Sequence, residues 1–293
     1  MRLRALAKIN LGLDITGKRP DGYHDVRMIM QTIQMYDVLE LNKKKEPGIS
    51  FETNLAFIPN DEKNLACQAA KMLMDEFHVQ EGLCLRLEKF IPVAAGMAGG
   101  STDAAAAFVG VNRLFGLGLT EKELMERAVK VGADVPYCIM RGTALAEGIG
   151  EKLTRLPALP PCYILIGKPG VNVSTKMAYE NLKLGELTEH PDIDGMIADI
   201  RRGDLSAMTE KMANVFEPGI IRQYPVIQEI KNLMEEYGAL RAMMSGSGPT
   251  VFGVFDSKDK MEQAAAVLRE SRLARTVFAT EIYNRNGGES NDK

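Results

Sequence analysis

The sequence predicts an α+β fold arranged as two domains. Segments with alternating apolar residues, typical of half-buried strands, are mixed with segments of helical spacing, without the steady alternation of a doubly wound sheet. Apolar residues make up 45% of the 293 residues and charged residues 26%, which favours a packed globular core. The segment LPALPPCYILIG at 156–167 places three prolines before an apolar strand. We therefore predict a junction there, with domains at residues 1–157 and 158–293.

The first half of the chain opens with an alternating strand, ALAKINLGLDI, at 5–15. Its period of two places Lys8 and Asn10 side by side on the face away from the core. The same period predicts that the core face carries the apolar side chains of Ala5, Ala7, Ile9, Leu11 and Leu13. Further strands are predicted at 26–41 and 83–90. Helices are predicted at 62–78, at 101–115, and from a capping box at Thr120 to about Gly132.

The second half is predicted to continue the mixture of helices and strands. Helical spacing recurs near 193–200, 204–216, 225–237 and 259–271. Apolar strands are predicted at 251–255 and 275–283, the first of them after the loop SGSGP at 245–249. The polar tail NRNGGESNDK is expected to be frayed.

Composition excludes several classes of protein. The formal net charge is −3 and the basic residues are spread along the chain, so nothing indicates a nucleic-acid partner. The longest apolar run, 104–111, is too short to span a bilayer, and the N-terminus lacks the apolar core of a signal peptide. Four cysteines without CxxC spacing and three scattered histidines predict buried, reduced thiols and no zinc site. We expect a cytoplasmic monomer or weak homodimer, with no nucleic-acid or membrane partner.

One glycine-rich stretch, IPVAAGMAGGSTDAAAAF at 91–108, carries a chemical signal. It leads from a strand into a helix N-terminus, where unpaired N–H groups and the positive end of the helix dipole favour an anion. Glycine permits positive φ and lets a ligand approach the backbone, and Ser101 and Thr102 add hydroxyls at the edge. The stretch fits neither the Walker A pattern nor GxGxxG. It therefore predicts a phosphate cradle, with a tight turn that binds nothing as the alternative.

These residues resemble the phosphate-loop motif P-x3-G-L-x-S/G-S-S of the GHMP kinase superfamily, with Met97 and Thr102 where Leu and Ser are usual. Three other stretches, AKINLGLDITGKRPDGYHDV, VGADVPYCIMRGTALAEGIGE and MMSGSGPTVFGVF, resemble further motifs of the same superfamily. The resemblance implies a two-domain kinase with its active site in the cleft between the domains. It implies that ATP is held by Pro92, Val93, Ala94, Ala95, Gly96, Met97, Ala98, Gly99, Gly100, Ser101 and Thr102.

The resemblance also implies two catalytic residues. Asp134 matches the general base, which orients the acceptor hydroxyl and takes its proton late, as the bond to phosphorus forms. Lys8 matches its cationic partner, which keeps the carboxylate ionised and offsets charge on the reacting oxygens. From the residues alone, a capping role for Asp134 and a solvated surface position for Lys8 remain the simpler alternatives.

The best-matching branch of the superfamily implies the acceptor, 4-diphosphocytidyl-2-C-methyl-D-erythritol, phosphorylated on its 2-hydroxyl in the non-mevalonate route to isoprenoid precursors. Asn10, Tyr23, His24 and Tyr179 would hold it, His24 by hydrogen bonding to cytosine and Tyr179 by stacking. Without the resemblance, an incidental loop position for His24 and a core-filling role for Tyr179 remain the alternatives. Mg²⁺ is expected to bridge the phosphates, with no ligand assigned. Another GHMP-type kinase, acting on mevalonate, a sugar or homoserine, and a non-catalytic nucleotide-binding module remain the rivals.

The resemblance also implies that the loop at 245–250 helps build the cleft, and from the residues alone a hairpin-like turn is the alternative.

Overall fold

The computed structural model describes residues 1–182, 187 and 190–285. Its strands are β1 Arg2–Lys18, β2 His24–Lys44, β3 Ile49–Thr53, β4 Gly82–Glu88, β5 Thr143–Gly148, β6 Lys152–Arg155, β7 Tyr163–Lys168, β8 Arg241–Met244, β9 Val251–Phe255 and β10 Thr276–Glu281. Its helices are α1 Leu65–Glu76, α2 Gly99–Leu114, α3 Glu121–Ala128, α4 Val135–Met140, α5 Thr175–Glu180, α6 Ile193–Arg202, α7 Leu205–Glu210, α8 Glu217–Gln223, α9 Val226–Glu236 and α10 Lys258–Ser271. This mixture confirms the predicted α+β class.

The long strand β2 organises the first sheet. β1 runs antiparallel along one edge of β2, while β5 and β4 pair with successive parts of the other edge, at 26–31 and 38–44. β3 extends the sheet beside β4, and β6 extends it beside β5. The helices α1, α2 and α4 pack together, and α2 contacts both β1 and β2. The first turn of α2 is joined to β1, because the Thr102 hydroxyl donates to the Leu6 carbonyl.

β1 does not keep one face toward the core. Its register against β2 shifts between Leu6 and Lys8 and again between Asn10 and Gly12. Each irregularity exchanges the two faces of the strand. The prediction of a single apolar face is therefore wrong. Ala5 and Leu13 belong to one hydrophobic cluster, and a second cluster takes the side chains between them, namely Ala7, Ile9 and Leu11.

The second sheet is antiparallel, in the order β10, β7, β9, β8. The helices α9 and α10 contact this sheet, and the side chains of Leu165 and Phe255 join their cluster. Ile164 and Phe252 belong instead to the second cluster, together with the middle of β1. That apolar layer joins the two halves of the chain.

The predicted elements differ from the structure in several places. The single helix expected at 204–216 ends at Glu210, because residues 213–215 pair with Leu13 of β1 instead. The sequence analysis did not predict seven of the elements, namely α4, α5, α8, β3, β5, β6 and β8. Proline-rich residues 156–162 connect β6 to β7, and the domain boundary at 157/158 stays a prediction. Residues 286–293 of the polar tail lie outside the described residues.

The four cysteines are free thiols, as predicted, but Cys84 on β4 is only half-buried while the other three are buried. Within the described ranges, none of the helices has the length and apolar character needed to cross a membrane.

Candidate active site

Most of the predicted site residues line one large cavity. Its volume is about 1430 Å³, above the roughly 300–1,000 Å³ usual for one small ligand. Of the predicted residues, its lining contains Lys8, Asn10, Tyr23, His24, Pro92, Val93, Ala94, Ala95, Gly96, Ala98, Gly99, Gly100, Ser101, Asp134 and Tyr179. The cavity has room for a nucleotide and a second substrate together.

The predicted phosphate loop has the backbone of an anion cradle. Ala94, Gly96 and Ala98 have φ of +51°, +72° and +56°, so every second residue takes the left-handed region. Such alternation turns successive N–H groups toward one concave surface. α2 begins at Gly99, two residues before the predicted start, and the N–H groups of its first turn have no intrahelical acceptor. The loop and the helix end therefore present their donors to the same cavity.

Two of the glycines make close contacts, and Gly96 also has the positive φ that favours glycine. A Cβ on Gly96 would lie 2.1 Å from the carbonyl oxygen of Ser245, in the second glycine loop. A Cβ on Gly99 would lie 3.2 Å from both Ile91 and the ammonium of Lys89. Gly96 thus brings the two glycine loops together, and Gly99 lets the helix start rest on a buried cation.

Two predicted members of the loop face away from the cavity. Met97 is buried in the second hydrophobic cluster, and its carbonyl accepts a hydrogen bond from the Lys8 amide at 3.3 Å. Thr102 is buried, and its hydroxyl donates to the carbonyl of Leu6 at 2.7 Å. The expectation of a Thr102 hydroxyl at the edge of the cradle is therefore wrong, because that hydroxyl ties α2 to β1.

A buried ionic cluster lies beneath the start of α2 and was missed by sequence reasoning. The Lys89 ammonium donates to Asp37 and, at 2.7 Å, to Oδ2 of Asp103. Asp37 also accepts the backbone N–H groups of Phe90 and Ile91, at 2.6 and 2.8 Å. These bonds fasten the chain just before the phosphate loop. No pattern in the sequence connects the three charged residues, because they meet only in the fold.

Burial and attraction act differently on the pKa values of the charged residues in this cluster. Burial raises the pKa of Asp103 well above its ordinary value, against the attraction of Lys89. Burial also opposes the charge of Lys89, but attraction to Asp103 and Asp37 outweighs it and raises the pKa of Lys89. Oδ1 of Asp103 is buried without a hydrogen-bond partner. The cluster therefore favours a charged ammonium at Lys89, while burial favours the protonated form of Asp103.

Lys8 and Asp134 face each other inside the cavity. Lys8 is 5% exposed, and its ammonium donates to Oδ1 of Asn10 at 2.7 Å and lies 3.6 Å from Oδ2 of Asp134. The prediction of adjacent Lys8 and Asn10 side chains is confirmed, whereas their placement away from the core is wrong. The register shifts in β1 turn both side chains inward.

Asp134 immediately precedes α4 but does not cap it through its side chain. Both simpler alternatives are thereby contradicted, since Asp134 makes no cap bond and Lys8 is not solvated. α4 is held by Tyr137, which is fully buried and hydrogen-bonds to the Thr32 hydroxyl at 2.9 Å and the Gly142 carbonyl at 2.7 Å. These bonds fix the start of α4, where the partly exposed carboxylate of Asp134 faces the buried ammonium of Lys8.

Aromatic side chains line the cavity beside this pair. The rings of His24 and Tyr179 lie 5.2 Å apart, and Tyr179 meets Phe216 edge-on at 4.9 Å. Burial lowers the pKa of His24 and raises that of Tyr179 to about 12. Both rings are therefore favoured in their neutral forms, and Tyr23 stands at the rim, 60% exposed. Phe216 was not predicted, because residues 204–216, which end at this cavity-lining side chain, were read as one helix.

The second glycine loop, at 245–250, connects the antiparallel strands β8 and β9, so the hairpin alternative describes its local form. Gly246 and Ser247 also line the cavity, and the Ser245 hydroxyl donates to the Gly96 carbonyl at 2.9 Å. The loop is therefore both a strand connection and part of the cavity wall, as the resemblance implied.

The fold and the cavity define a kinase of the GHMP type. The family model described as GHMP kinases N terminal domain matches residues 64–142, and the one described as GHMP kinases C terminal matches residues 196–272. The crystal structure of an L. major mevalonate kinase in complex with R-mevalonate has a TM-score of 0.75 over 97% of this chain and 96% of its own, at 17% identity, and shows the shared fold alone.

Relatives that match nearly the whole chain at higher sequence identity define the family within this class. A protein of Lachnospira eligens named 4-diphosphocytidyl-2-C-methyl-D-erythritol kinase is 53% identical over 283 residues, 97% of this chain and 98% of its own. A protein of the same name from Lachnoclostridium phytofermentans is 52% identical, over 96% of this chain and 97% of its own. A crystal structure of 4-(cytidine 5'-diphospho)-2C-methyl-D-erythritol kinase has a TM-score of 0.83 at 29% identity and covers 97% of this chain and 100% of its own. The chain belongs to the 4-diphosphocytidyl-2-C-methyl-D-erythritol kinase family.

Proposed function

We propose that this chain transfers the γ-phosphoryl group of ATP to the 2-hydroxyl of 4-diphosphocytidyl-2-C-methyl-D-erythritol. The observation that carries the proposal is the Lys8–Asp134 pair, 3.6 Å apart in a cavity that also contains the anion cradle and the aromatic rings. In the reaction the bond from the γ-phosphorus to the bridging oxygen breaks, and the acceptor oxygen forms a new bond to that phosphorus. ADP leaves, and the hydroxyl proton goes to Asp134.

The cradle at 92–101 is suited to the triphosphate. Its left-handed residues and the first turn of α2 supply fixed N–H donors, which bind phosphate oxygens without reorganising during the reaction. Little covalent chemistry is required of a protein that transfers a phosphoryl group, so alignment and charge neutralisation account for most of the catalysis.

Lys8 and Asp134 have separate roles in the transfer. The carboxylate orients the attacking hydroxyl and accepts its proton as the new bond forms. The ammonium, held by Asn10 at 2.7 Å, neutralises charge that grows on the transferred oxygens. Because Lys8 is almost fully buried, its charge acts through a less polarisable medium than water and is correspondingly more effective.

The aromatic side of the cavity is suited to a pyrimidine base. Neutral His24 offers one donor and one acceptor to the polar edge of cytosine, and the rings of Tyr23 and Tyr179 offer surfaces for stacking. Asn10 would contact the part of the acceptor that lies nearest to Lys8. These side chains favour a cytidine-linked acceptor over the small acids and sugars used by other GHMP-type kinases.

We also propose that the reaction uses Mg²⁺. The described part of the chain holds no group of three or more His, Cys, Asp or Glu residues arranged for a metal. Mg²⁺ bound mainly by substrate phosphates needs only one or two protein oxygens, and the Ser101 hydroxyl at the cavity wall suits that role. When bound, the ion would neutralise phosphate charge. We further propose that the enzyme works in the cytoplasm.

Product analysis tests the function directly. The chain is incubated with ATP, Mg²⁺ and 4-diphosphocytidyl-2-C-methyl-D-erythritol, and in parallel with mevalonate, a sugar or homoserine. We expect a phosphorylated product from the cytidine-linked alcohol alone. Phosphorylation of another acceptor would instead support a different GHMP-type kinase, and absence of product at saturating substrates would support the non-catalytic module.

Asp134→Ala tests the assigned base. We expect ATP affinity to be retained and turnover to fall by at least about 10²-fold, the scale of a lost general base. Asp256→Ala is the matched control, because Asp256 pairs with Lys260 on the surface and is not part of the cavity wall. Unchanged turnover in Asp134→Ala would refute its role.

A further inference from the structure

One buried amide outside every sequence motif joins the parts of the active site. Asn214, between α7 and α8, is only 4% exposed. We propose that Asn214 is a positioning residue for phosphoryl transfer, because its side chain holds the second glycine loop against the phosphate loop and against β1. The proposal rests on the function proposed above.

The three side-chain hydrogen bonds of this amide are all made to nearby backbone. Nδ2 donates to the carbonyls of Met244 and Gly246, both at 2.8 Å, and Oδ1 accepts the Phe216 N–H at 3.0 Å. One amide hydrogen is therefore used on the second glycine loop, and the other on the last residue of β8, which leads into that loop. The orientation of the amide is determined, since the opposite orientation would set Oδ1 against two carbonyl oxygens.

The backbone around Asn214 is attached to the catalytic strand. Leu13 of β1 donates to the Ala213 carbonyl at 3.0 Å, and the Val215 N–H donates to the Leu13 carbonyl at 3.1 Å. These bonds form a parallel bridge between Leu13 and Asn214. Asn214 thus has a fixed place relative to the strand that carries Lys8.

The loop that Asn214 holds touches the phosphate loop. A Cβ on Gly246 would lie 3.1 Å from the Gly96 carbonyl oxygen and 3.5 Å from Oδ1 of Asn10. The Ser245 hydroxyl donates to the same Gly96 carbonyl. A displacement of the second loop would therefore move the phosphate loop relative to the Lys8 ammonium, with no change in either catalytic side chain.

The same segment also reaches the aromatic side of the cavity. The N–H bonded to Asn214 belongs to Phe216, whose ring packs against Tyr179 at 4.9 Å. Asn214 contacts neither Lys8 nor Asp134 through any of its side-chain hydrogen bonds described here. Its effect on the reaction is therefore one of alignment.

The first test compares two asparagine variants. In Asn214→Ala we expect kcat to fall about 10²-fold, the effect of a misplacement near 1 Å, while the Kd of a non-hydrolysable ATP analogue changes by less than about threefold. Asn112→Ala is the matched control, because Asn112 makes a similar amide pair with Leu119, at 2.9 and 3.0 Å, away from the cavity. We expect this control to lower Tm and leave kcat unchanged. A folded Asn214→Ala protein with wild-type kcat, or an equal loss in both variants, would overturn the proposal.

A second variant, Ser245→Ala, tests the same proposal if Asn214→Ala does not fold. Ser245→Ala removes only the hydroxyl that binds the Gly96 carbonyl, and we expect kcat to fall about tenfold, in line with one lost hydrogen bond. Where Asn214→Ala does fold, the losses in the double variant should combine to less than their product, because both act through one contact. Wild-type kcat in Ser245→Ala would overturn the proposal.

Hydrogen exchange separates this inference from the proposed function. The amides of Ser245 and Gly248 are bonded within the loop, and we expect both to exchange faster in Asn214→Ala than in the wild type. This comparison needs no substrate, so it decides whether Asn214 anchors the loop even if the wild type phosphorylates nothing. Equal exchange in the two proteins would overturn the anchoring role.

Discussion

A single methyl group at Gly96 tests whether contact between the two glycine loops sets the geometry of the reaction. In Gly96→Ala the new Cβ would lie 2.1 Å from the Ser245 carbonyl oxygen. Ordinary contact requires about 3.5 Å, so the loops would have to separate by roughly 1.4 Å. A displacement of that size costs about 10²-fold in rate. Gly96 also has φ of +72°, and alanine adds about 1–2 kcal/mol of strain there.

The assay pairs turnover with stability. We expect kcat for the phosphorylated product to fall about 10²-fold in Gly96→Ala, and the free energy of unfolding by at least about 1 kcal/mol. Gly116→Ala is the control, because Gly116 has φ of +64° but no atom within 4 Å of its Cβ position. It introduces the backbone strain without the clash, so stability should fall and turnover should not. Wild-type turnover in a folded Gly96→Ala protein, or equal loss in both variants, would refute the reasoning.

Two further predictions concern charge. Lys89→Met leaves the Asp37 and Asp103 carboxyls buried without their cation, so the free energy of unfolding should fall by about 3–5 kcal/mol in a denaturant titration. A fall below about 1 kcal/mol would contradict this and indicate that the two carboxyls share a proton. Burial lowers the pKa of His24, so below its ordinary value of about 6.5 the unfolded chain binds more protons than the folded one. The stability that neutral His24 contributes is therefore present above about pH 6.5 and lost as pH falls through the lowered pKa. Tm measured from about pH 7.5 to 5 should fall less in His24→Gln than in the wild type, and parallel curves would contradict the prediction.

Local signals in the sequence were sufficient for the elements that their own residues define. The five residues of β9 lie where apolar strand patterning predicted them, and α2 begins within two residues of its predicted start. The capping box at Thr120 forms as expected, with both of its hydrogen bonds. The loop at 91–100 was recognisable because glycine spacing and a following helix are visible in a short window. Capping, periodicity and turn chemistry all act over a few residues, so a single sequence contains them.

Long-range contacts decided the chemistry of the site. Two shifts of register against β2 turned Lys8 inward, although strict alternation on β1 predicted the opposite. The pairing of Leu13 with the Asn214 region ended a predicted helix and brought Phe216 to the cavity. The Lys89 cluster likewise joins residues from separate elements. Nearby residues therefore determined where strands, helices and the phosphate cradle form. Which charges are buried, and which of them face one another, was decided by tertiary packing, because burial and strand register depend on partners far away in the chain.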